Sequence, residues 1–424
     1  MKQLTLNELF SGIGAQRKAL ERIGVDFRVV GISEIDKYAI KSYEAIFGKT
    51  FNYGDIRKVE RLNYADMWTY SFPCTDISVA GRQAGITKET RSGLLFEVGR
   101  LIKLAQKDDT LPKILVLENV KNLVGKKFKI QFDEWLSFLE TLGYETKWKV
   151  LNAKNFGIPQ NRERVFAISI LKNSKIEFEF PNENEVLKVR LLDFLEKVVE
   201  EKFYVSKEKT EKLIKSVQDN EVFKVKEAII PCIVSQKCEK FEKITDTALT
   251  LLARDYKGFG NQTANAVIIG ASRGRNPNNP SDRSLGCPTE QRLEINQNNC
   301  TNTITTVQKD NLVIEKILQV GNIIDTKRFG GNPQDGRVYS SLGIAPTIHT
   351  AHNPYVLEQI RIRRLTPKEC WRLMGFSDDD FEKAKNAGVS DTQLYKQAGN
   401  SIVVNVLETV FKNISERDKE ISNT

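Results

Sequence analysis

Apolar runs of strand length recur through the first 170 residues: Leu4–Phe10, Phe27–Ser33, Met67–Phe72, Ile114–Leu117 and Val165–Ile170. They are rich in β-branched and aromatic residues, which suit a pleated, half-buried surface. Between them, "AQRKALERIG" and "SGLLFEVGRLIKLAQ" repeat apolar positions at helical spacing, the first ending on a C-cap-like Gly24. Such alternation predicts a doubly wound α/β domain around a mostly parallel sheet. From about residue 185 the texture changes. A charged helical stretch, "EVLKVRLLDFLEKVVEEKFYVSKEKTEKLIKSV", gives way to polar, Gly/Asn/Thr-rich sequence as far as about 355. Helical texture returns in "TPKECWRLMGF" and "NSIVVNVLETVFKNI". The pattern predicts an α/β domain over 1–185, a smaller, mostly β domain inserted over 186–385, and a segment at 386–424 that completes the first domain.

Within the polar region a short pattern occurs three times: "TLLARDYKG" from Thr250, "TITTVQKDNLVIE" from Thr303 and "TIHTAHNPYVLE" from Thr347. Each is an alternating β-type segment followed by a polar loop. Their irregular spacing excludes a solenoid. Hairpins with polar tips fit the pattern, either as the plain hairpins of a small domain or as tips that reach nucleic-acid edges.

Composition narrows the partners. The chain has 424 residues and a formal net charge of +9, which suits a polyanionic partner. Its six cysteines (74, 232, 238, 287, 300 and 370) form no C-x-x-C pair, and His349 and His352 are its only histidines. These spacings do not predict a structural zinc site, and dispersed cysteines fit a reducing compartment. The N-terminus, "MKQLTLNELFSGIG", lacks the apolar core of a signal peptide, and no run of about 18 apolar residues occurs. A soluble, cytoplasmic protein is expected.

Candidate chemistry lies at the ends of the predicted strands. "SFPCTDISVAG" sets Cys74 directly after Pro73, whose missing N–H should stop the preceding strand. That puts the thiol at the carboxyl edge of a sheet, where α/β enzymes keep their ligands. A nucleophile and a small buried apolar residue both fit this stretch. In "LTLNELFSGIGAQRKAL" Gly12 and Gly14 allow close backbone approach to a ligand at a helix N-terminus, or simply make a tight turn. Glu34 ends the next strand, where an acid can accept from ribose hydroxyls. Asp55, in "YGDIRK", is expected at the end of a further strand, able to accept from an adenine amino group. Arg17 occupies the third glycine position of a dinucleotide fingerprint, which disfavours NAD and leaves S-adenosylmethionine as the better candidate. "PKILVLENVKNLV" runs an apolar strand into Glu118 and Asn119, a carboxylate able to hold or donate a proton or a loop-capping pair. "NFGIPQNRERVFAISI" places Arg162 and Arg164 two residues apart before a strand, as a clamp for phosphate or a base carbonyl or as an exposed basic edge.

F-S-G-I-G at 10–14, P-C at 73–74, E-N-V at 118–120, Q-x-R-x-R at 160–164 and Q-A-G-N-S at 397–401 follow one another in an order that resembles the C5-cytosine DNA methyltransferases of bacteria and phages. The resemblance covers the catalytic framework, roughly 1–180 and 360–424, and "RRLTPKECWRLMGF" is similar to the family's domain-junction motif. It implies a Rossmann-like, S-adenosylmethionine-dependent methyltransferase sheet with an inserted target-recognition domain. By the same resemblance Cys74 is the nucleophile, Glu118 engages cytosine N3 and its amino group, and Arg164 and Arg162 support a flipped base. Phe10, Gly12, Gly14, Glu34, Ile35, Asp55, Ile56, Pro73, Asn400 and Ser401 would line the cofactor site. Thr75 and Ile35 depart from the Gln and the aromatic residue that this family often has there. The implied partner is double-stranded DNA, bound by a monomer, with a cognate restriction endonuclease left open. Arg254, Lys257, Gln308, Lys309, His352 and Asn353, on the three polar loops, supply donors for base edges or phosphates. The segment 272–284, "SRGRNPNNPSDRS", is the alternative reader.

Overall fold

All five apolar runs are strands in the computed structural model. It describes residues 3–74, 76–77, 85–87, 90–182, 189, 191–206, 208, 268–276, 289–296, 301–304, 312–315, 318–322, 337–340 and 361–416. The chain divides into two compact units, one of 1–190, 303–306 and 367–424 and the other of 191–302 and 307–366.

The first unit opens with β1 (Leu4–Leu9), α1 (Ala15–Arg22), β2 (Phe27–Ser33), α2 (Lys37–Phe47), β3 (Met67–Tyr70), α3 (Leu95–Lys107) and β4 (Ile114–Val120). It continues through α4 (Lys129–Thr141), β5 (Tyr144–Asn152), the two-residue β6 (Gln160–Asn161), β7 (Glu163–Leu171) and β8 (Ile176–Phe178). One sheet runs β2-β1-β3-β4-β7-β5. The pairs β1–β2, β1–β3 and β3–β4 are parallel, whereas β7 is antiparallel to both β4 and β5. The central strands are apolar on both faces because helices cover both; Leu6, Leu9, Trp68, Tyr70, Leu115 and Leu117 are all buried. Each such side chain contributes roughly 1.5–3 kcal/mol of burial. β1 leads to β2 on one side and β3 lies on the other, so the direction of winding reverses beside β1. Ligands of α/β proteins bind at the carboxyl ends of strands at such a point.

Two strands differ from expectation. β4 runs on to Val120 rather than stopping at Leu117, because β7 keeps pairing with it after β3 has ended: Tyr70 is opposite Leu117, while Glu118 is opposite Phe166. β5, "YETKWKVLN", alternates charged and apolar positions and pairs with β7 alone. It is an edge strand with a half-exposed face, so it lacks the continuous apolar run of its neighbours.

In the second unit, β9 (Ile268–Arg275), β10 (Glu290–Asn296), β12 (Leu312–Glu315) and β15 (Arg361–Arg364) form an antiparallel sheet in the order β10-β9-β12-β15. A two-residue β11 (Thr301–Asn302) precedes β12, and β13 (Leu318–Asn322) pairs antiparallel with β14 (Arg337–Ser340). Leu312, Val313, Phe203 and Leu191 are buried here. The tips at 253–258, 307–311 and 351–354, and with them Arg254, Lys257, Gln308, Lys309, His352 and Asn353, lie outside the described residues. Of the 272–284 segment, residues up to Asn276 are described; Arg275 forms an ion pair with Glu294 on β10.

The chain then returns to the first unit through α5 (Pro367–Arg372), α6 (Asp378–Asn386), α7 (Asp391–Asn400), α8 (Val404–Lys412) and β16 (Ile414–Glu416), the last paired with β8. Ser377 and Asp380 close a reciprocal capping box at the start of α6. The return is locked by Arg22 with Glu408 at 2.7 Å, Lys18 with Asp380 at 2.9 Å, and Ser42 Oγ with Gln397 Oε1 at 3.0 Å. The boundary expected at 386 falls inside this segment; Trp371, Leu373 and Met374 are already core. Among the described residues no helix is long and apolar enough to cross a membrane, and no cluster of His, Cys, Asp and Glu could hold a metal ion.

Candidate active site

The carboxyl edge of the sheet brings three loops together. After β1 the backbone turns sharply: Phe10, Gly12 and Gly14 have φ of 58°, 55° and 79°. Two of these demand glycine for different reasons. A Cβ on Gly14 would meet Phe47 at 2.5 Å and Tyr43 at 2.8 Å, so this residue lets α1 pack against α2. A Cβ on Gly12 would meet nothing within 4 Å. Gly12 therefore borders open space, backed by the helix that Gly14 caps. Ser11, next to it, is buried, and its hydroxyl has no hydrogen-bond partner.

Glu34 follows β2 and holds that loop in place. Its Oε2 accepts from the Gly12 N–H at 2.9 Å, and its Oε1 accepts from the N–H groups of Ile35 and Asp36, both at 2.8 Å. Ile35 beside it is 66% exposed, an unusual placement for an isoleucine and an apolar surface free to take a flat ring. Asn52 stitches the next segment to this corner: its Oδ1 accepts from the N–H groups of Glu34 and Gly54, and its Nδ2 donates to the Glu34 carbonyl.

Asp55 does not end a strand. Asn52 makes an isolated parallel bridge to Ile32, and Asp55 caps a one-turn 3-10 helix, accepting from the Arg57 N–H. The free outer edge of β2 is met only at this bridge, because Gly54, at φ 72°, turns the chain away two residues later. The Arg57 guanidinium also covers both Asp55 oxygens, with Nη2 2.6 Å from Oδ2. The Ile56 side chain is buried in the core with Leu9 and Trp68, so it offers no surface to a ligand.

The Cys74 loop is held through its backbone. Asn119 Nδ2 donates to the Phe72 carbonyl at 2.9 Å, Ser92 Oγ to the Pro73 carbonyl at 2.7 Å, and the Ile77 N–H to the Cys74 carbonyl at 3.1 Å. Three consecutive carbonyls are thus fixed, and the half-buried thiol is presented by a pre-set loop. Burial pushes the Cys74 thiol above its ordinary value, the Glu118 carboxylate pushes it further, and Arg164 and Arg162 oppose both.

Glu118 is buried on β4, one residue past the last β3 pair. Its Oε2 accepts from Ser71 Oγ at 2.9 Å, and its Oε1 lies 3.3 Å from Arg164 Nε. Arg164 is two residues along β7 from Phe166, the register partner of Glu118, so acid and base are diagonal cross-strand neighbours. Arg162 serves differently. It is buried and donates to the carbonyls of Ile304, Gly399 and Ser401 at 2.8, 3.2 and 2.6 Å. Burial, and then the Arg164 cation, push its guanidinium down to about 9, so it stays charged at neutral pH. The expected pair of forward-pointing arginines is therefore one arginine beside the acid and one internal strut.

Gln160, the first residue of the Q-x-R-x-R motif, does similar work: its Nε2 donates to the Leu373 carbonyl at 2.8 Å and its Oε1 accepts from the Ile304 N–H at 2.9 Å. The Q-A-G-N-S segment joins both sides. Gln397 is bonded to α2 through Ser42 and the Tyr38 carbonyl, Gly399 and Ser401 receive Arg162, and Asn400 at the end of α7 is exposed. Asn52, Ser71 and Ser92 carried no signal in the sequence because each bonds to a residue 18 or more positions away, Glu34, Glu118 and Pro73 respectively.

A half-buried cysteine thiol, a buried acid paired with an arginine, and open space beside Gly12 thus lie along one edge of a doubly wound sheet. The chain belongs to the C-5 cytosine-specific DNA methylase family, whose model matches residues 4–416. It is 33% identical to an orphan methyltransferase of Bacillus phage SPR, with 98% of each chain covered. A type II methyltransferase of Lactococcus lactis subsp. cremoris is 32% identical over 97% of this chain and 99% of its own. Among solved structures, the S. pombe Dnmt2 methyltransferase shares the fold, with a TM-score of 0.53 at 18% identity and 97% of each chain covered.

Proposed function

We propose that this DNA methyltransferase transfers a methyl group from S-adenosylmethionine to C5 of a cytosine flipped out of double-stranded DNA, through a covalent bond between Cys74 and C6. The observation that carries the reading is the half-buried Cys74 on the same sheet edge as the Glu118–Arg164 pair. The pocket fits the cofactor's adenosine half: open space over Gly12, an acid at Glu34 for ribose hydroxyls, and exposed Ile35 for the adenine face. When bound, S-adenosylmethionine supplies the methyl group as an electrophile. Asp55 reaches an adenine amino group once Arg57 releases it, and Asn400, exposed at the end of α7, borders the same ligand.

The chain's own residues do the rest. Cytosine C5 is a poor nucleophile while the ring stays conjugated. The Cys74 thiolate bonds to C6 while Glu118, held beside Arg164, hydrogen-bonds or protonates N3, and C5 becomes an enamine-like carbon able to accept a methyl group. Loss of the C5 proton returns the electrons to the ring and expels the thiolate, releasing 5-methylcytosine. The base cannot be reached inside a duplex and has to leave the stack. Arg162 holds the Arg164–Glu118 corner to Gly399 and Ser401 and does not touch the base.

The second unit supplies sequence recognition in this reading. Arg254, Lys257, Gln308, Lys309, His352 and Asn353 are the proposed readers, with 272–284 as the alternative. Relatives named orphan and type II methyltransferases support protective methylation of the host's or phage's own DNA.

Transfer of labelled methyl from S-adenosylmethionine to duplex DNA, with tRNA in parallel, tests the activity. A duplex carrying 5-fluorocytosine should trap the wild type in a denaturant-resistant complex, since its C5 fluorine cannot leave as a proton does. Cys74→Ala should bind that duplex without the adduct. An adduct of undiminished yield in Cys74→Ala would overturn the nucleophile, and labelling of tRNA alone would overturn the substrate.

A further inference from the structure

Ser71 was not among the residues expected to matter, yet its hydroxyl is the donor that engages one oxygen of the buried acid. β3 ends at Tyr70 opposite Leu117, and Ser71 and Glu118 are the next residues on their two chains. The strand has stopped, so the ladder does not hold Ser71, and its short side chain turns across to Glu118 Oε2 at 2.9 Å. The other oxygen, Oε1, faces Arg164 Nε at 3.3 Å. Glu118 is 7% exposed, so solvent hardly competes for either oxygen. Two donors on two different oxygens fix the plane of the carboxylate, which one donor alone would leave free to rotate.

We infer that Ser71 is a positioning residue for the methyl transfer, aligning the Glu118 carboxylate with the cytosine N3 edge and remaining bonded to it through the reaction. This rests on the role proposed above for Glu118. A hydroxyl suits the task because it can both donate and accept. It donates to the ionised carboxylate and can rotate to accept from the acid once that carries a proton. An alanine or glycine at 71 could do neither, and a lysine would hold only the ionised form. Arg164 has no acceptor and stabilises the ionised form alone, so the serine is the partner able to follow the proton.

Ser71→Ala tests the assignment in the full-length protein. It should lower kcat roughly 10-fold or more while leaving the dissociation constant for S-adenosylmethionine unchanged. Ser71→Thr, which keeps the hydroxyl, should recover most of that loss. Adduct formation on a 5-fluorocytosine duplex should slow by the same factor as kcat. An unchanged kcat would overturn the proposal. A fall in kcat that Ser71→Thr does not recover, or with cofactor binding lost in parallel, would make Ser71 merely structural and overturn it equally. Glu118→Gln, measured alongside, keeps the two ideas apart: full activity there would remove the assigned role of Glu118 itself.

Discussion

The Gly12 N–H and the Glu34 carboxylate meet at 2.9 Å, so the loop after β1 and the loop after β2 share one acid. Glu34 accepts from three backbone N–H groups in all, two of them in its own loop. The carboxylate is held in place before any ligand arrives, and the entropy of ordering it is already met by the fold.

Glu34→Ala should therefore act on the cofactor more than on DNA. Loss of a charge-assisted pair of hydrogen bonds to the ribose predicts affinity for S-adenosylmethionine weaker by about 2–4 kcal/mol. The melting temperature should fall as well, because three N–H groups lose their acceptor. DNA affinity without cofactor should change little. Equal cofactor affinity by calorimetry would move the ribose site elsewhere.

The two arginines of Q-x-R-x-R should part company on mutation. Arg162→Ala leaves the carbonyls of Ile304, Gly399 and Ser401 without their donor in a buried site. Its cost should be in folding, on the order of 3–5 kcal/mol, read by denaturant unfolding. Arg164→Gln should remain closer to wild-type stability and lose activity instead, roughly 10–100-fold in kcat. Matching stability losses in the two variants would contradict the division.

Cys74 provides a pH test with a definite sign. Its thiol is raised first by burial and then by the Glu118 carboxylate, with Arg164 pulling the other way. In the wild type the thiol is mostly protonated at neutral pH, and its alkylation rate should climb as pH rises above neutrality. Removing the negative charge with Glu118→Gln should shift that profile to lower pH, and Arg164→Gln should shift it to higher pH. Peptide mapping after iodoacetamide labelling follows Cys74 separately from the other cysteines. A Glu118→Gln profile that matches the wild type would show that the acid does not reach the thiol.

What was legible in the sequence follows from range. β1 to β4 and β7 were readable because each is a local apolar run, and the motifs at Gly12, Cys74 and Glu118 because each closes such a run. β5 was not, since an edge strand need be apolar on one side only. The roles of Arg162 and Gln160 were hidden for another reason: their partners are at 304, 373, 399 and 401, and no local spacing reveals a contact across that distance. Asp55 was expected at a strand end, but the chain touches β2 only through the Ile32–Asn52 bridge before Gly54 turns it into a capped 3-10 turn.

Glu8 makes the last prediction, and it concerns stability. It lies on β1, fully buried, with Tyr43 Oη donating to its Oε2 at 2.5 Å and the Arg17 N–H to its Oε1 at 3.1 Å. Burial raises its carboxyl from 4.5 to about 7, against the pull of Tyr43 and of Arg17 in α1, while Glu21 adds a smaller push upward. The folded value lies above the unfolded one, so the native state binds more protons between the two. Its contribution is then fully present below about 4.5 and is lost as pH rises through 7. Integrated over that window the loss is about 3 kcal/mol. Glu8→Gln keeps an acceptor for Tyr43 and cannot ionise, so this part of the pH dependence should vanish. Urea unfolding of both proteins at pH 5.5 and 7.5 measures it: the wild type should lose stability relative to Glu8→Gln on going to the higher pH. Parallel changes in the two proteins would mean that Glu8 ionises in the fold as it does in water, and that the Tyr43 and Arg17 contacts offset the whole cost of burying its charge.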